Sequence, residues 1–202
     1  MKIVFATNNI HKLTEVRQIL GHDFEIVTPA DLGLAGDIPE DQPTLEGNAL
    51  QKARYVWERF RLPCFADDTG LEVAALDGAP GVYSARYAGE AKDSQANMRL
   101  LLANLKGQTD RTARFRTVIA LIIDGNEYFF QGEVRGEITT QPAGRNGFGY
   151  DPIFQPSDHT VTFAQMDAEL KNSFSHRARA VARLAEYLLG LKTQADHSLN
   201  LI

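Results

Sequence analysis

The order of apolar and polar positions at the start of the chain predicts a strand, a polar loop and a helix. Residues 2–6 are almost all apolar, and apolar residues then recur at helical spacing from Leu13 to Leu20. Between them, residues 7–12 (TNNIHK) are mostly polar and bring backbone N–H groups and Lys12 to the start of the helix, where an anion would bind favourably. The loop lacks the glycines of a P-loop, so a capped helix with a solvated lysine is an equally good alternative.

A second strand and a long helix are predicted before Pro63. Residues 24–28 are typical of a short strand, and residues 29–43 form an irregular segment that carries several carboxylates, Glu40 among them. Such a loop can supply a metal ligand, although most acidic loops are only solvated. Thr44 is a suitable N-cap for a helix that has one apolar stripe and ends before Pro63.

Two adjacent carboxylates, Asp67 and Asp68, follow the apolar run at residues 63–66. The run predicts a short buried strand that stops at the acidic pair, and open α/β sheets place their chemistry at such strand ends. Because neighbouring side chains of an extended chain point to opposite faces, only one of the two should be the site residue, and we predict Asp68. The alternative is that Asp67 to Gly70 is only a turn in which a carboxylate caps backbone N–H groups.

The second half of the chain predicts antiparallel strands followed by a long helix. Residues 114–123 and 127–138 are rich in β-branched and aromatic residues, and they flank Asp124-Gly125-Asn126, which is a strong hairpin signal. The final helix is predicted to begin near Ser173, with a buried stripe of alanines, valine and leucines, and a polar tail is predicted after Gly190.

Two later stretches carry candidate ligand-binding residues. Glycines surround Phe148 within residues 142–152 and let the backbone approach a ligand closely, so this ring can stack on a nucleobase. A tight turn with a buried Phe148 is the alternative. Lys171, His176 and Arg177 cluster at or before the N-terminal end of the final helix, where the helix dipole disfavours cations. Their placement indicates an anionic ligand, although His176 can also be a structural histidine.

Composition and charge exclude several classes of protein. The 202 residues are 44% hydrophobic and 23% charged, and no apolar run approaches the roughly 20 residues of a membrane helix. The net charge of −5 argues against a general affinity for nucleic acid. The N-terminal apolar run is too short for a signal peptide, and the single Cys64 rules out an internal disulfide, so we expect a cytoplasmic protein.

Five motifs occur in one order along the chain, namely ATNNIHK at residues 6–12, ADDTGL at 66–71, GAPGVYSARY at 78–87, FGYD at 148–151 and SHR at 175–177. With this combination the chain closely resembles the inosine triphosphate pyrophosphatase family from residue 1 to about residue 189. The resemblance implies an α/β fold with two lobes around a central cleft, built on an elongated mixed β-sheet flanked by helices. It also implies a single domain over residues 1–189 with a C-terminal tail over residues 190–202, and a homodimer.

The resemblance further implies an enzyme that acts on non-standard purine nucleoside triphosphates. ITP, dITP and XTP would be hydrolysed to the nucleoside monophosphate and pyrophosphate, with Mg²⁺ as cofactor, which removes deaminated purines from the nucleotide pool. Asp68 matches the catalytic carboxylate of the family, as metal ligand, base or both, and Glu40 matches a second metal ligand. The substrate-binding positions of the family fall on Thr7, Asn8, Asn9, Ile10, His11, Lys12, Thr69, Phe148, Gly149, Tyr150, Asp151, Lys171, His176 and Arg177.

The sequence departs from the family pattern at two positions. Family members commonly carry Glu-Asn-Ala in the first turn of the long helix, whereas this chain has Gly47-Asn48-Ala49 and carries its carboxylate one position earlier, at Glu46. A metal role for Glu46 is therefore left open. His11 stands where many relatives have glycine, which predicts a slightly different path for the backbone of the loop.

Two other functions remain open on the sequence. Asp67-Asp68-Thr69 is superficially similar to aspartyl-phosphate phosphatases, but those enzymes need two carboxylates two residues apart on one face, and here they are adjacent. A nucleotide-binding regulator is the second alternative. It would bind a triphosphate in the same cleft and release no pyrophosphate.

Overall fold

A computed structural model of the chain describes residues 1–199. Its α-helices are α1 (Ile10–Leu20), α2 (Leu45–Phe60), α3 (Ser94–Asn104), α4 (Ala168–Phe174) and α5 (His176–Leu199). Its strands are β1 (Lys2–Phe5), β2 (Glu25–Val27), β3 (Cys64–Val73), β4 (Pro80–Gly81), β5 (Thr112–Ile123), β6 (Asn126–Ile138) and β7 (Phe154–Pro156).

The strands form one mixed sheet in the order β2-β1-β3-β5-β6-β7, and the short β4 pairs with β3 outside this path. β1 is parallel to both β2 and β3. The pairs β3–β5, β5–β6 and β6–β7 are antiparallel. This elongated mixed sheet, flanked by helices, confirms the predicted α/β class. The strand β3, which carries Asp67 and Asp68, is parallel to β1 on one side and antiparallel to β5 on the other.

The prediction that a strand stops at Asp67 is wrong, and so is the alternative of a turn at Asp67 to Gly70. β3 is ten residues long and continues through both carboxylates to Val73. Asp67 pairs with Ile119 and Asp68 with Val118 of β5, which satisfies the backbone of the whole segment. The two side chains therefore leave the middle of a strand on opposite faces of the sheet.

The predicted hairpin is confirmed. β5 pairs over its full length with residues 126–137 of β6, and the two strands are joined by Asp124-Gly125. Both turn residues have positive φ, as a two-residue hairpin turn of this kind requires. These two long strands, together with β3, extend through the whole molecule.

Alternation along β3 divides the core of one lobe between the two faces of the sheet. Phe65 packs on one face with Val16 of α1 and Leu184 of α5. Ala66 packs on the other face with Ala53 of α2. By the same alternation, Asp67 faces α1 and α5, and Asp68 faces α2.

A second lobe has its own core at the far end of the long strands. Leu71 of β3, Phe115 of β5 and Val134 of β6 pack there with Leu101 of α3 and Phe154 of β7. β3, β5 and β6 thus contribute to both lobes, and their polar midsections lie where the two cores meet.

The end of the chain differs from its prediction. The helix expected to begin near Ser173 is divided at Ser175, whose extended backbone (ψ 162°) separates α4 from α5. Helix α5 also continues to Leu199, through most of the predicted tail. Residues 200–202 of that tail lie outside the described residues, and the domain boundary at residue 189 stays a prediction. No helix within residues 1–199 is both long and apolar enough to span a membrane.

Candidate active site

A cavity of about 580 Å³ lies between the two lobes. The loop before α1, the middle of β3, the loop before β7 and the start of α5 all contribute to its wall. Every site residue predicted from the sequence lines it, namely Thr7, Asn8, Asn9, Ile10, His11, Lys12, Glu40, Asp68, Thr69, Phe148, Gly149, Tyr150, Asp151, Lys171, His176 and Arg177. The structure brings these residues together, and their individual roles remain predictions.

The loop before α1 is a capped helix start. The Asn9 side chain accepts hydrogen bonds from the backbone N–H groups of His11 (3.0 Å) and Lys12 (3.2 Å), as an N-cap does. Thr7 in turn accepts a hydrogen bond from the Asn9 backbone N–H. Two of the backbone N–H groups at the helix start therefore already have a hydrogen-bond acceptor. An anion in this part of the cavity would bind the Lys12 side chain rather than these two N–H groups.

Asp67 is buried and neutralises two cations. Lys12 Nζ donates to Asp67 Oδ1 (3.0 Å) and Arg177 Nε donates to Asp67 Oδ2 (3.1 Å). Burial alone would raise the pKa of Asp67, but the charges of Lys12 and Arg177 outweigh burial and hold the pKa below its ordinary value. Asp67 is absent from the cavity wall, so it acts on the site through the cations that it holds.

A buried network of alternating charges continues from Arg177. Arg177 Nη1 and Lys171 Nζ donate to the two carboxylate oxygens of Glu15. Lys171 also donates to Asp151 Oδ2 (2.6 Å), which accepts the Phe148 backbone N–H (2.8 Å) as well. The network therefore fixes the position of Phe148 relative to the cations at the start of α5.

Asp68 lies on the opposite face of the sheet from Asp67, among groups from α2 and from the acidic loop, the irregular segment at residues 29–43. Its Oδ2 accepts from Asn48 Nδ2 (3.0 Å), and its Oδ1 is 3.7 Å from Lys52 Nζ. Lys52 Nζ is also 3.3 Å from Glu40 Oε2. Burial alone would lower the pKa of Lys52, but Asp68, Asp67 and Glu40 outweigh burial and raise it. Asp68 and Glu40 thus converge on one positive charge.

The cavity also has an aromatic end, where Lys171 and Arg177 lie against the Phe148 ring. The His11 ring stacks on Phe148, with centroids 5.2 Å apart and planes 15° from parallel. His176 is buried and stacks on Phe115 (4.6 Å). Within residues 1–199, the buried Nδ1 of His176 makes no hydrogen bond. Burial, followed by the charges of Arg177 and Lys171, lowers the pKa of His176 well below 6.5, so its ring is neutral at physiological pH.

Gly132 of β6 lets α5 approach the sheet at this end. A Cβ at Gly132 would lie 2.1 Å from the His176 carbonyl oxygen and 2.5 Å from the Ala180 backbone nitrogen. Any larger residue would push α5 away from the sheet. Glycine here therefore places His176 and Arg177 in the cavity wall.

Comparison with known proteins identifies the family. The sequence matches the model of the Ham1 family over residues 3–187. This chain belongs to the Ham1 family. Its membership confirms the resemblance seen in the five motifs, because curated relatives carry the name dITP/XTP pyrophosphatase.

Sequence relatives and solved structures of the Ham1 family cover nearly the whole chain. A relative from Porphyromonas gingivalis is 56% identical over 95% of this chain and 99% of its own, and one from Flavobacterium johnsoniae is 48% identical over 95% and 100%. The Staphylococcus aureus Ham1 protein matches with a TM-score of 0.85 at 41% identity, and a HAM1 protein from Coxiella burnetii with 0.86 at 37%. Each structure covers 94% of this chain and 99% of its own.

Three charged residues of this Ham1 protein were missed or misjudged from the sequence. Lys52 follows Asn48 by one helical turn on the buried face of α2, and a charge at such a position could have indicated a partner in the core. Glu15 carried no signal, because most helical glutamates are solvated. Asp67 was set aside in favour of Asp68, although both carboxylates are buried and paired.

The departure of this chain from the Glu-Asn-Ala pattern has a structural reason. A Cβ at Gly47 would lie 2.8 Å from Gln42 Cβ, so glycine lets the acidic loop pack against the first turn of α2. The Glu46 carboxylate instead accepts from Arg116 Nη1 (2.6 Å) and is absent from the cavity wall. In the structure the Glu46 carboxylate is thus engaged by Arg116, and its role toward a metal stays an open question.

We expect the stability of the Ham1 protein to fall on acidification because of His176. Its folded pKa lies well below 6.5, so the unfolded chain binds a proton below pH 6.5 that the folded chain does not. The free energy of unfolding should then decrease below pH 6.5 with a slope that approaches about 1.4 kcal/mol per pH unit from this residue alone.

Urea denaturation of the wild type and of His176→Gln from pH 7.5 to 5.5 measures this effect. The difference between the two pH slopes isolates His176, whatever the variant costs in absolute stability. Parallel slopes would mean that folded His176 takes up its proton as easily as the unfolded chain.

Proposed function

We propose that this chain hydrolyses the non-standard purine nucleoside triphosphates ITP, dITP and XTP to the nucleoside monophosphate and pyrophosphate. The reaction removes deaminated purines from the nucleotide pool. One observation carries the proposal: Asp68, Glu40 and Lys52 form one cluster in the wall of a single cavity, and a stacked aromatic surface bordered by Lys171 and Arg177 forms another part of that wall. The names of the curated relatives support the same activity.

Charge neutralisation supports phosphate chemistry in this cavity. A triphosphate carries several negative charges, and hydrolysis between its phosphates depends mainly on positioning and electrostatic stabilisation. Lys12, Lys52, Lys171 and Arg177 line the cavity. In the structure each of them is paired with a carboxylate, so the cations are already held in place when a phosphate arrives.

The donor set at the polar end fits Mg²⁺. Asp68 and Glu40 place hard carboxylate oxygens around the Lys52 ammonium, a position that already stabilises positive charge. No cluster of three His, Cys, Asp or Glu side chains suited to a metal occurs within residues 1–199. Mg²⁺ needs none, since it keeps several waters and uses one or two carboxylates together with substrate phosphates. When bound, it would supply charge neutralisation and a water of lowered pKa.

Asp68 is the side chain placed to act on the attacking water. It accepts from Asn48 Nδ2 and from the Thr69 backbone N–H (3.0 Å), which fixes its carboxylate in one orientation. A carboxylate so oriented can hold a water or take its proton. Asp68 thus serves as metal ligand, base or both, and Asn48 positions it.

Hydrogen-bond polarity accounts for the choice of base. Hypoxanthine and xanthine present a 6-oxo acceptor where adenine presents an amino donor. His176 and Arg177 supply donors at the aromatic end, and Phe148 supplies a stacking surface. Adenine would leave these buried donors unpaired, at a cost of about 1 to 3 kcal/mol for each lost bond.

A substrate panel tests the proposal. We expect pyrophosphate release from ITP, dITP and XTP with Mg²⁺, at least tenfold slower release from ATP, and no release after EDTA treatment. Binding of ITP without pyrophosphate release would favour the nucleotide-binding regulator. Release of orthophosphate through a trapped phosphoenzyme would favour an aspartyl-phosphate phosphatase, a reading already disfavoured because Asp67 and Asp68 face opposite sides of β3.

We also infer a cytoplasmic homodimer. The single cysteine supports a reducing compartment, because it allows no internal disulfide. Exposed Tyr83 and Phe129 offer apolar surface for a second copy. Light scattering on the purified protein measures the subunit number.

A further inference from the structure

Lys92 lies on the wall of the cavity that belongs to the second lobe. It follows a hydrogen-bonded turn, in which its backbone N–H donates to the Gly89 carbonyl (3.2 Å), and it precedes Asp93, the N-cap of α3. Buried Asn97 holds the preceding segment by accepting from the Ala88 backbone N–H (2.7 Å) and donating to the Ala85 carbonyl (2.9 Å). The ordered turn therefore presents Lys92 to the cavity at a fixed place.

The Lys92 side chain reaches across the cavity to the acidic loop. Its Nζ donates to Glu40 Oε1 (2.9 Å), while Lys52 Nζ donates to the other oxygen of the same carboxylate (3.3 Å). The acidic loop is fixed to α2 because the Gln42 backbone N–H donates to Asn48 Oδ1 (2.8 Å). Glu40 thus joins a cation of one lobe to a cation of the other.

The two lysines on Glu40 differ in freedom. The Lys52 side chain is 8% exposed and is held between two carboxylates, Glu40 and Asp68. The Lys92 side chain is 52% exposed, and an ion pair at this exposure is weak and easily exchanged for another partner. Lys92 can therefore leave Glu40 for a ligand in the cavity at little cost.

We propose that Lys92 binds the pyrophosphate portion of the substrate from the second lobe, opposite Lys12 and Lys52. This inference rests on the proposed function. The lysine is joined through Glu40 to Lys52, which also faces Asp68, while the Phe148 and His176 rings line another part of the same cavity. A triphosphate with its base at the aromatic end extends its outer phosphates toward Lys92. Lys92 would then exchange the Glu40 carboxylate for a phosphate oxygen of the leaving group.

Calorimetry with the two products separates this role from a general effect of charge. Pyrophosphate and IMP are titrated separately, each with Mg²⁺, into the wild type, Lys92→Met, Lys92→Arg and the control Lys106→Met. Lys106 is an exposed lysine of the same lobe, just after α3, and it is absent from the cavity wall. We expect Lys92→Met to weaken pyrophosphate binding about tenfold, as one charged hydrogen bond allows, and to change IMP binding less than twofold.

Lys92→Arg should retain most of the pyrophosphate affinity, and Lys106→Met should match the wild type. Unchanged pyrophosphate affinity in Lys92→Met would overturn the proposal, as would equal losses for pyrophosphate and IMP. The proposed function is tested separately, because a wild type that releases no pyrophosphate from ITP contradicts the activity whatever Lys92 binds.

Discussion

Asp68→Asn is expected to reduce kcat for ITP by about 10³-fold or more while ITP binding remains measurable. A positioned base contributes about 10² to 10⁴ to a rate, and the substitution also removes a charged ligand from the proposed cation site. The amide has the size of the carboxylate and can still accept from Asn48 Nδ2, so the fold should be kept. Single-turnover rates and calorimetric binding of ITP measure the two quantities separately.

Glu72→Gln is the matched control for Asp68→Asn. Glu72 lies on the same strand and pairs with Arg114 and Arg116, but it is absent from the cavity wall. Its substitution should leave kcat within about twofold, because its ion pairs are partly solvated and lie outside the cavity. If Asp68→Asn kept the wild-type kcat, Asp68 would have no role as base or metal ligand.

Local signals in the sequence were enough to predict much of the fold. The Asp124-Gly125 turn places β5 against β6, and Thr44 begins α2 as its N-cap, since its side chain accepts from the Gly47 backbone N–H. The candidate site was reached by another route. Motifs far apart in the chain, such as those at residues 6–12 and 175–177, meet at one cavity, and only the combined resemblance indicated this.

The errors arose where distant parts of the chain decide the outcome. β3 continues through its two carboxylates because β5, some fifty residues later, pairs with its whole length. No local pattern contains that pairing. The buried pairs of Asp67 with Arg177 and of Glu15 with Lys171 likewise join residues far apart in the sequence, so each residue alone resembles an ordinary solvated charge.

Asp67→Asn is expected to destabilise the protein by about 3 kcal/mol, which is a large part of the stability of most domains. The substitution removes the negative charge between Lys12 and Arg177, both of which are largely buried. Arg177 keeps Glu15 as a partner, whereas Lys12 loses the only carboxylate within 4 Å among the described residues. A largely buried ammonium without a partner is costly, because most of its charge stays out of water and is no longer compensated. Urea denaturation at pH 7 measures the loss.

Substitution of the two adjacent carboxylates should therefore have different effects. Asp68→Asn should lower the catalytic rate, and Asp67→Asn should lower the stability. The pH dependence gives a second measure, since the folded pKa of Asp67 lies below its ordinary value of 3.8 and its contribution is lost only as pH falls through the acid range. Glu127→Gln, which breaks a solvated pair with Arg54, should cost less than about 1 kcal/mol.

A double substitution distinguishes loss of charge compensation from loss of packing. Lys12→Met removes the cation that Asp67→Asn leaves unpaired. The loss of stability in the double variant should therefore be smaller than the sum of the losses in the two single variants, by about 1 to 3 kcal/mol. Additive losses would mean that Asp67 stabilises the fold without help from Lys12, through Arg177 or through packing. In that case the fold would tolerate Lys12 without a carboxylate partner. Pairing with Asp67 would then not be what fixes Lys12 in position for a phosphate.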